Sequence, residues 1–447
     1  MTKRLLPWLL GTTLAFTAGC SRHEPEQQRP RDLAPESGAA TASVPDSSAP
    51  ALDLSRATVA PEPSTPGRAV LAFALDLHRA WRADESRRGT TAALSPLSLA
   101  GGLALVHAGA RGETRDELTR ALHLSSPVAA RDLLTLEARG STGFEIARGQ
   151  RVFVDPRVAI ESAYREEVNG ALASLDFKNP EAARGGINRW VEGVTSRRIP
   201  AFLPPGAVDE RTRLVLVDAL AASARWASPF DPSRTQPRPF TALDGTVETL
   251  PLMVVESTQR FARTASYEAV DVACADAEHA LLVVAPLPGH FDELDRALDL
   301  ARLDAIVSSL EPGQVALSLP RFRADLDATS LKPELRSLGI ERAFDERANL
   351  EGLTRTAGSE LHVADVLHAA RFEVDEKGAR AAAASGAVVA LPAPIAAITI
   401  DRPFLFFLRN VRTGAPVVMG RFMGSKWRTR SYVVESGARP TGMGDRR

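Results

Sequence analysis

A chain of 447 residues has room for two or three average domains or for one large mixed unit. Its 44% hydrophobic and 24% charged content are ordinary for a folded globular protein. A formal net charge of -1 gives no footing for nucleic acid as a partner, and two cysteines exclude a disulfide framework.

At the N-terminus Lys3 and Arg4 precede an apolar run, residues 5–18, that is too short to span a bilayer comfortably. Small residues Ala18 and Gly19 lead to Cys20, so the segment reads as an export signal. It resembles a bacterial lipoprotein signal, in which Cys20 is diacylated, becomes the mature N-terminus and anchors the protein to a membrane. Thr17 departs from the Leu usual at that position, and a plain secretory signal cleaved nearby is the alternative. Either way the chain is expected outside the cytoplasm, as a membrane-anchored lipoprotein (periplasm or cell surface) or as an extracellular protein. Lipidation of Cys20 would leave Cys274 as a lone thiol, read as a small buried apolar residue.

Residues 21–67 are rich in Pro, Ser, Ala, Glu and Gln and poor in large apolar side chains. Such a stretch cannot bury enough surface to offset its ordering entropy, so a disordered stalk is expected. The folded body is predicted to occupy residues 68–422, opening with a helix on which Val70, Phe73, Ala74, Leu77 and Trp81 share one face. Further helices are predicted at 95–107, 113–122, 184–198, 292–310 and 329–338. In the first of these Ser95 takes the capping position and Pro96 the first turn, where a missing N–H costs nothing. Strands are predicted at 144–154, 212–222, 280–285, 314–319, 362–374, 395–400, 404–410 and 416–422. Helices fall mainly early and strands mainly late, which favours an α+β fold with large antiparallel or mixed sheets over alternating βαβ units. Residues 423–447 read as a loose polar tail.

Enzymatic motifs find no support. The sequence has no Gly-rich phosphate loop, CxxC pair, HExxH or GxSxG turn, and its eight histidines are scattered without metal-ligand spacing. Neither a cofactor nor a metal is expected. A triad assembled from distant residues stays open as a rival reading, although nothing in the sequence points to one.

The most unusual stretch is residues 376–394, Ala-rich and set between two strand patterns. Its bland reading is a linker or short helix. A loop this long without structure of its own is usually functional in a compact domain. As a strand, it would put Ala379, Ala381, Ala383, Ser385, Ala387 and Val389 on one face and Arg380 on the other. That face is small or apolar throughout, so the segment could enter a sheet at little steric cost.

At this point separated motifs converge in order. Leu94, Ser95, Pro96, Leu97 and Ser98 open one helix, and Gly109 to Thr114 follow. Ile187, Asn188, Arg189 and Trp190 sit on the helix expected to cross the main sheet. Leu214 to Ala219, Trp226, Phe230, Asp231 and Pro232 come next, then Leu319, Pro320, Arg321 and Phe322. Val366, Leu367, His368, Ala369 and Ala370 precede the Ala-rich stretch, and Asp401, Arg402, Pro403, Phe404 and Met419 to Phe422 close the body. In this series the chain resembles the serpin family, the serine protease inhibitors, over residues 68–422.

The resemblance implies the serpin fold, with three β-sheets, about eight or nine helices and an exposed reactive-centre loop. It implies a monomeric suicide substrate: a target serine protease cuts the loop, forms a covalent acyl complex, and is carried off as the freed loop inserts into the main sheet. Glu376, Gly378, Ala379 and Ala381, Ala382, Ala383 and Ala384 would then be the hinge. Glu376 would pair with Arg321, with Trp226 nearby, and Ser95, Ser98, Asp218 and His368 would form a polar cluster under the opening strands. Thr91 and Asp218 stand where the family usually has Asn, and Ala379 where it has Thr or Ser. Asp218 is expected to face His368 as a charged partner. The reactive bond falls at Pro392-Ala393 by counting from Glu376, with Ala390-Leu391 as the alternative. The absence of Arg or Lys there favours an elastase-, subtilisin- or Pro-directed target over a trypsin-like one. A serpin-fold protein that binds without inhibiting is the main alternative.

Overall fold

The computed structural model describes residues 65–125, 129–136, 144–168, 170–355, 361–377 and 396–425. The chain begins with α1 (Pro66–Arg82), capped by the Thr65 hydroxyl, which accepts from Arg68 N at 3.3 Å. Then come β1 (Ala92–Leu94), α2 (Pro96–Gly109), α3 (Gly112–Ala121), α4 (Ala130–Thr135), β2 (Phe144–Val154), α5 (Ser162–Glu167), β3 (Leu172–Ser174), α6 (Pro180–Val194) and β4 (Leu214–Ala224). The middle holds β5 (Gln236–Thr241), β6 (Val247–Arg263), β7 (Tyr267–Ala273), β8 (His279–Pro286), α7 (Phe291–Ala297) and α8 (Leu300–Ser308). The rest is β9 (Glu311–Pro320), β10 (Phe322–Ser330), α9 (Lys332–Ser337), β11 (Asp365–Val374), β12 (Ala396–Thr399), β13 (Phe404–Asn410) and β14 (Pro416–Phe422). The described residues thus hold nine α-helices and fourteen strands in an α+β arrangement.

The strands form two hydrogen-bonded sheets. One is five-stranded in the order β10-β11-β4-β2-β3. The other is nine-stranded, running β1-β14-β13-β8-β7-β6-β9-β12 with β5 also on β6. The long β6 pairs with β5 and β9 over its first part and with β7 at Arg260–Arg263, so two of the three expected sheets share this strand and read as one path. The sheets meet through an aromatic seam: Phe322 of β10 lies 5.0–5.4 Å from Phe422, Phe404 and Phe406, and Phe372 of β11 stacks on Phe406 at 5.5 Å. A second, smaller core joins α6 to the other face of the five-stranded sheet through Ile187, Val191, Val217, Ala219, Leu367 and Ala369.

Several predicted boundaries shift for physical reasons. The helix expected over 292–310 is two helices, because Asp299 leaves the helical conformation and caps α8 by accepting from Arg302 N at 2.8 Å. The helix expected from 184 starts at Pro180 behind the Asn179 cap and stops at Val194, before Ser196 and Arg197 turn left-handed. Residues 329–330 belong to β10, and the helix there begins only at Lys332. The body also reaches past Phe422: Met423 is fully buried and its N–H donates to Thr91 Oγ1 at 2.9 Å, while Ser425 N donates to Glu248 at 2.7 Å.

Candidate functional site: the seam of the five-stranded sheet

At the centre of this sheet β11 and β4 run parallel, in register from Asp365↔Val215 to Glu373↔Ser223. Their other neighbours, β10 and β2, pair antiparallel. The chain leaves β11 at Val374, and the bond from Trp226 N to Lys377 O (3.2 Å) extends the contact just past the end of β4.

Under the seam, on the face covered by α2, four predicted residues meet. His368 and Asp218 are register partners and both fully buried, with Nδ1 of His368 2.6 Å from Oδ2 of Asp218. Ser98 donates its hydroxyl proton to Oδ1 of Asp218. Ser95 N–H donates to His368 Nε2 at 3.2 Å. A backbone N–H can only donate, so Nε2 is the acceptor and the ring hydrogen sits on Nδ1, aimed at Asp218. Asp218 thus faces His368 across the seam, with Nδ1 of the ring turned to its carboxyl group. Ser95 occupies the position before α2 but does not cap it; its hydroxyl donates instead to Val417 O at 2.9 Å, tying α2 to β14. Gln150, the residue of β2 opposite Asp218, completes the cluster by donating from Nε2 to Ser98 O at 3.1 Å. Sequence reading missed it, although the parity of β2 places it on this face.

At the mouth of the seam Trp226 is fully buried and its Nε1 donates to Asp375 O at 2.7 Å. Glu376 accepts from the Thr235 hydroxyl at 2.8 Å and lies 3.5 Å from Arg321, so the predicted ion pair is the looser of its two contacts. Thr235 carries no motif and was not foreseen. Cys274 bridges to Trp226 and is buried; burial, then Asp276 and Asp271, pushes its thiol well above the usual range, as an inert core residue requires. The hinge residues 378–384, both candidate bonds (Pro392-Ala393 and Ala390-Leu391) and Cys20 lie outside the described residues. Among the described residues no group of three or more His, Cys, Asp or Glu could hold a metal.

A two-layer α+β body with a five-stranded main sheet, a parallel central pair and a polar cluster beneath it is the architecture of a serpin. The serpin (serine protease inhibitor) family model matches residues 68–424, and the chain belongs to that family. It is 29% identical over 360 residues to antithrombin-III of Mus musculus, covering 76% of this chain and 77% of that protein. With Serpin-ZXA of Oryza sativa subsp. japonica it shares 33% identity over 364 residues, covering 74% and 89%. The structure of uncleaved ovalbumin matches in fold with a TM-score of 0.74 at 23% identity, over 81% of this chain and 100% of that one.

Proposed function

We propose that this chain is an exported suicide-substrate inhibitor of serine proteases, held to a membrane by a lipid on Cys20 and a stalk of residues 21–67. The observation that carries the reading is the parallel β11/β4 pair. A strand turning back from the end of β11 runs antiparallel to β11 and hence to β4. Its insertion replaces one parallel ladder by two antiparallel ones, which are the more stable pairing per residue. The small-residue face of residues 379–389 suits that place, and about 15 residues at roughly 3.3 Å each would span on the order of 50 Å.

The target's catalytic serine attacks the carbonyl of the reactive bond, the amide nitrogen leaves with a proton, and the loop stays bonded to the protease as an acyl ester. Insertion then drags the ester away from the oxyanion hole before water can finish the reaction. With Pro392 at one candidate bond and Ala390 at the other, the target is an elastase-, subtilisin- or Pro-directed enzyme.

Incubation of the purified chain with a panel of such proteases tests this. A denaturant-resistant covalent complex, and a large rise in thermal midpoint once the loop is cut, are expected. Clean clipping with neither result would leave a serpin-fold protein that binds without inhibiting.

A further inference from the structure

We infer that Arg198, in the connection between α6 and β4, is a latch that bridges the two sides of the β11/β4 seam and sets how readily the sheet opens. The inference rests on the proposed insertion for its purpose, but not for its geometry.

The bridge lies on the α6 face. Leu367 and Ala369 of β11 pack there against Ile187, Val191 and Ile199, and Arg371 follows on the same face. Arg371 donates through Nη1 to the backbone carbonyl of Arg198. Asp327 of β10 stands 3.9 Å from the Arg371 guanidinium on its other side. The Arg198 side chain goes the opposite way: Nη2 donates at 2.8 Å to Glu145 of β2, which also pairs with Arg225 just past β4. One residue is thus tied by its backbone to β11 and by its guanidinium to β2.

Register shows what this spans. Ala147, Ala221, Arg371 and Asp325 form one row across the sheet, and Glu145, Ser223, Glu373 and Arg323 the next row on the same face. These are the rows beside the point where the chain leaves β11, where an entering strand arrives first. A new strand would move β11 away from β4 by about 4.8 Å. Hydrogen bonds weaken steeply beyond ~3.2 Å, so Arg198 cannot hold both Arg371 and Glu145 through that step. One tie must break.

The backbone around the latch supplies an independent observation. Of the five non-glycine residues with left-handed φ among the described residues, Ser196 (50°), Arg197 (61°) and Ala201 (50°) flank Arg198. Such conformations persist only where their surroundings fix them, here by bonds such as Arg197 N to Glu192 O at 2.7 Å and Ile199 N to Thr195 Oγ1 at 3.2 Å. The Glu145 and Arg198 side chains are 43% and 39% exposed, which makes the tie weak enough to yield and open to screening by salt.

Hydrogen exchange on the intact chain, read by mass spectrometry, tests the latch. In Arg371→Ala, amides of residues 366–373 and 216–223 should exchange roughly tenfold faster, the scale of losing one hydrogen bond to a charged group, with β13 and β14 unchanged. Glu145→Gln should act in the same direction. The two together should fall short of additive, because both work through Arg198. Arg371→Lys, which can still donate to the carbonyl, should recover most of the protection. Raising salt from about 0.05 to 0.5 M should speed seam exchange in the unaltered chain and leave the double variant nearly unmoved. No change at the seam, or equal acceleration at β13 and β14, overturns the latch. A cut loop that fails to raise the thermal midpoint of the unaltered chain would instead overturn insertion, and the exchange data would judge the latch alone.

Discussion

Asp218 and His368 face each other across the parallel pair β4/β11, joined by a 2.6 Å hydrogen bond in a site that admits no water to either side chain. Each also holds a partner outside the sheet: Ser98 for Asp218, and the backbone of Ser95 for His368. The bond therefore pins the seam to the start of α2 as well as one strand to the other.

Replacing His368 by Ala should destabilise the native form strongly. It strands a buried carboxyl group and a buried N–H, for which about 2–4 kcal/mol is expected. Asp218→Asn keeps the shape and an oxygen for Nδ1–H, so its cost should stay below about 1 kcal/mol. Thermal midpoints at one scan rate compare them. Equal losses in the two variants would show that the pair does not work through its hydrogen bonds.

The second prediction concerns acid. Burial, then Arg115 and Arg111, lowers the His107 pKa from 6.5 to about 4. Its neighbour Thr119 already donates its hydroxyl proton to Arg115 O, so His107 Nε2–H is the donor in the 3.0 Å contact between them. A folded-state value below the unfolded one contributes stability that is fully present above pH 6.5 and is lost as pH falls towards 4. His107→Gln should flatten the decline of thermal midpoint between pH 6.5 and 4. A decline as steep as in the unaltered chain would assign acid sensitivity to other groups.

The third follows from Gly149 on β2, where α6 crosses the sheet. A Cβ there would overlap Val194 and lie 2.9 Å from the Trp190 ring. Arg151, two residues on, stacks on that ring at 4.8 Å, so the helix has little freedom to slide aside. Gly149→Ala should lift α6, cost about 1–3 kcal/mol as overpacking does, and shift Trp190 fluorescence towards that of an exposed indole. An unshifted spectrum with native stability would mean that α6 gives way to the added methyl group without leaving the sheet.

Legibility in the sequence followed periodicity. The apolar runs of β13 and β14 gave their limits directly, and Val70, Phe73, Ala74, Leu77 and Trp81 are all buried on α1. β6 escaped because it passes from one set of neighbours to another, and exposed Glu256 and Arg260 interrupt its alternation. β10 alternates plainly at first, Ala324 and Leu326 inward against Arg323 and Asp325, but a register shift after Leu326 turns Ala328 to the α6 side and blurs the pattern just before the helix expected at 329. In the site, motif order located Ser98, Asp218 and His368. Gln150, Thr235 and Arg198 depend on register and on where a connection lies, which no local pattern encodes.

The last prediction separates a buried charge from a useful one. Arg409 and Asp271 pair at 2.6 Å with side chains 6% and 5% exposed, and each keeps one polar atom without a hydrogen-bond partner, Nε and Oδ1. Burial raises the Asp271 pKa despite Arg409 and Arg260. A folded value above the unfolded one means that stability falls as pH rises from the unfolded carboxyl value through the folded one, so at neutral pH the buried carboxylate carries a cost that Arg409 only partly offsets. Arg409→Met alone should cost about 3–5 kcal/mol, because it leaves Asp271 unpaired in the core. Adding Asp271→Leu should recover most of that loss, since well-packed apolar side chains often equal or better a buried ion pair. Thermal unfolding of the single and double variants decides it: a double variant no more stable than Arg409→Met alone would show that this pair organises the β7/β13 region in a way apolar packing cannot replace.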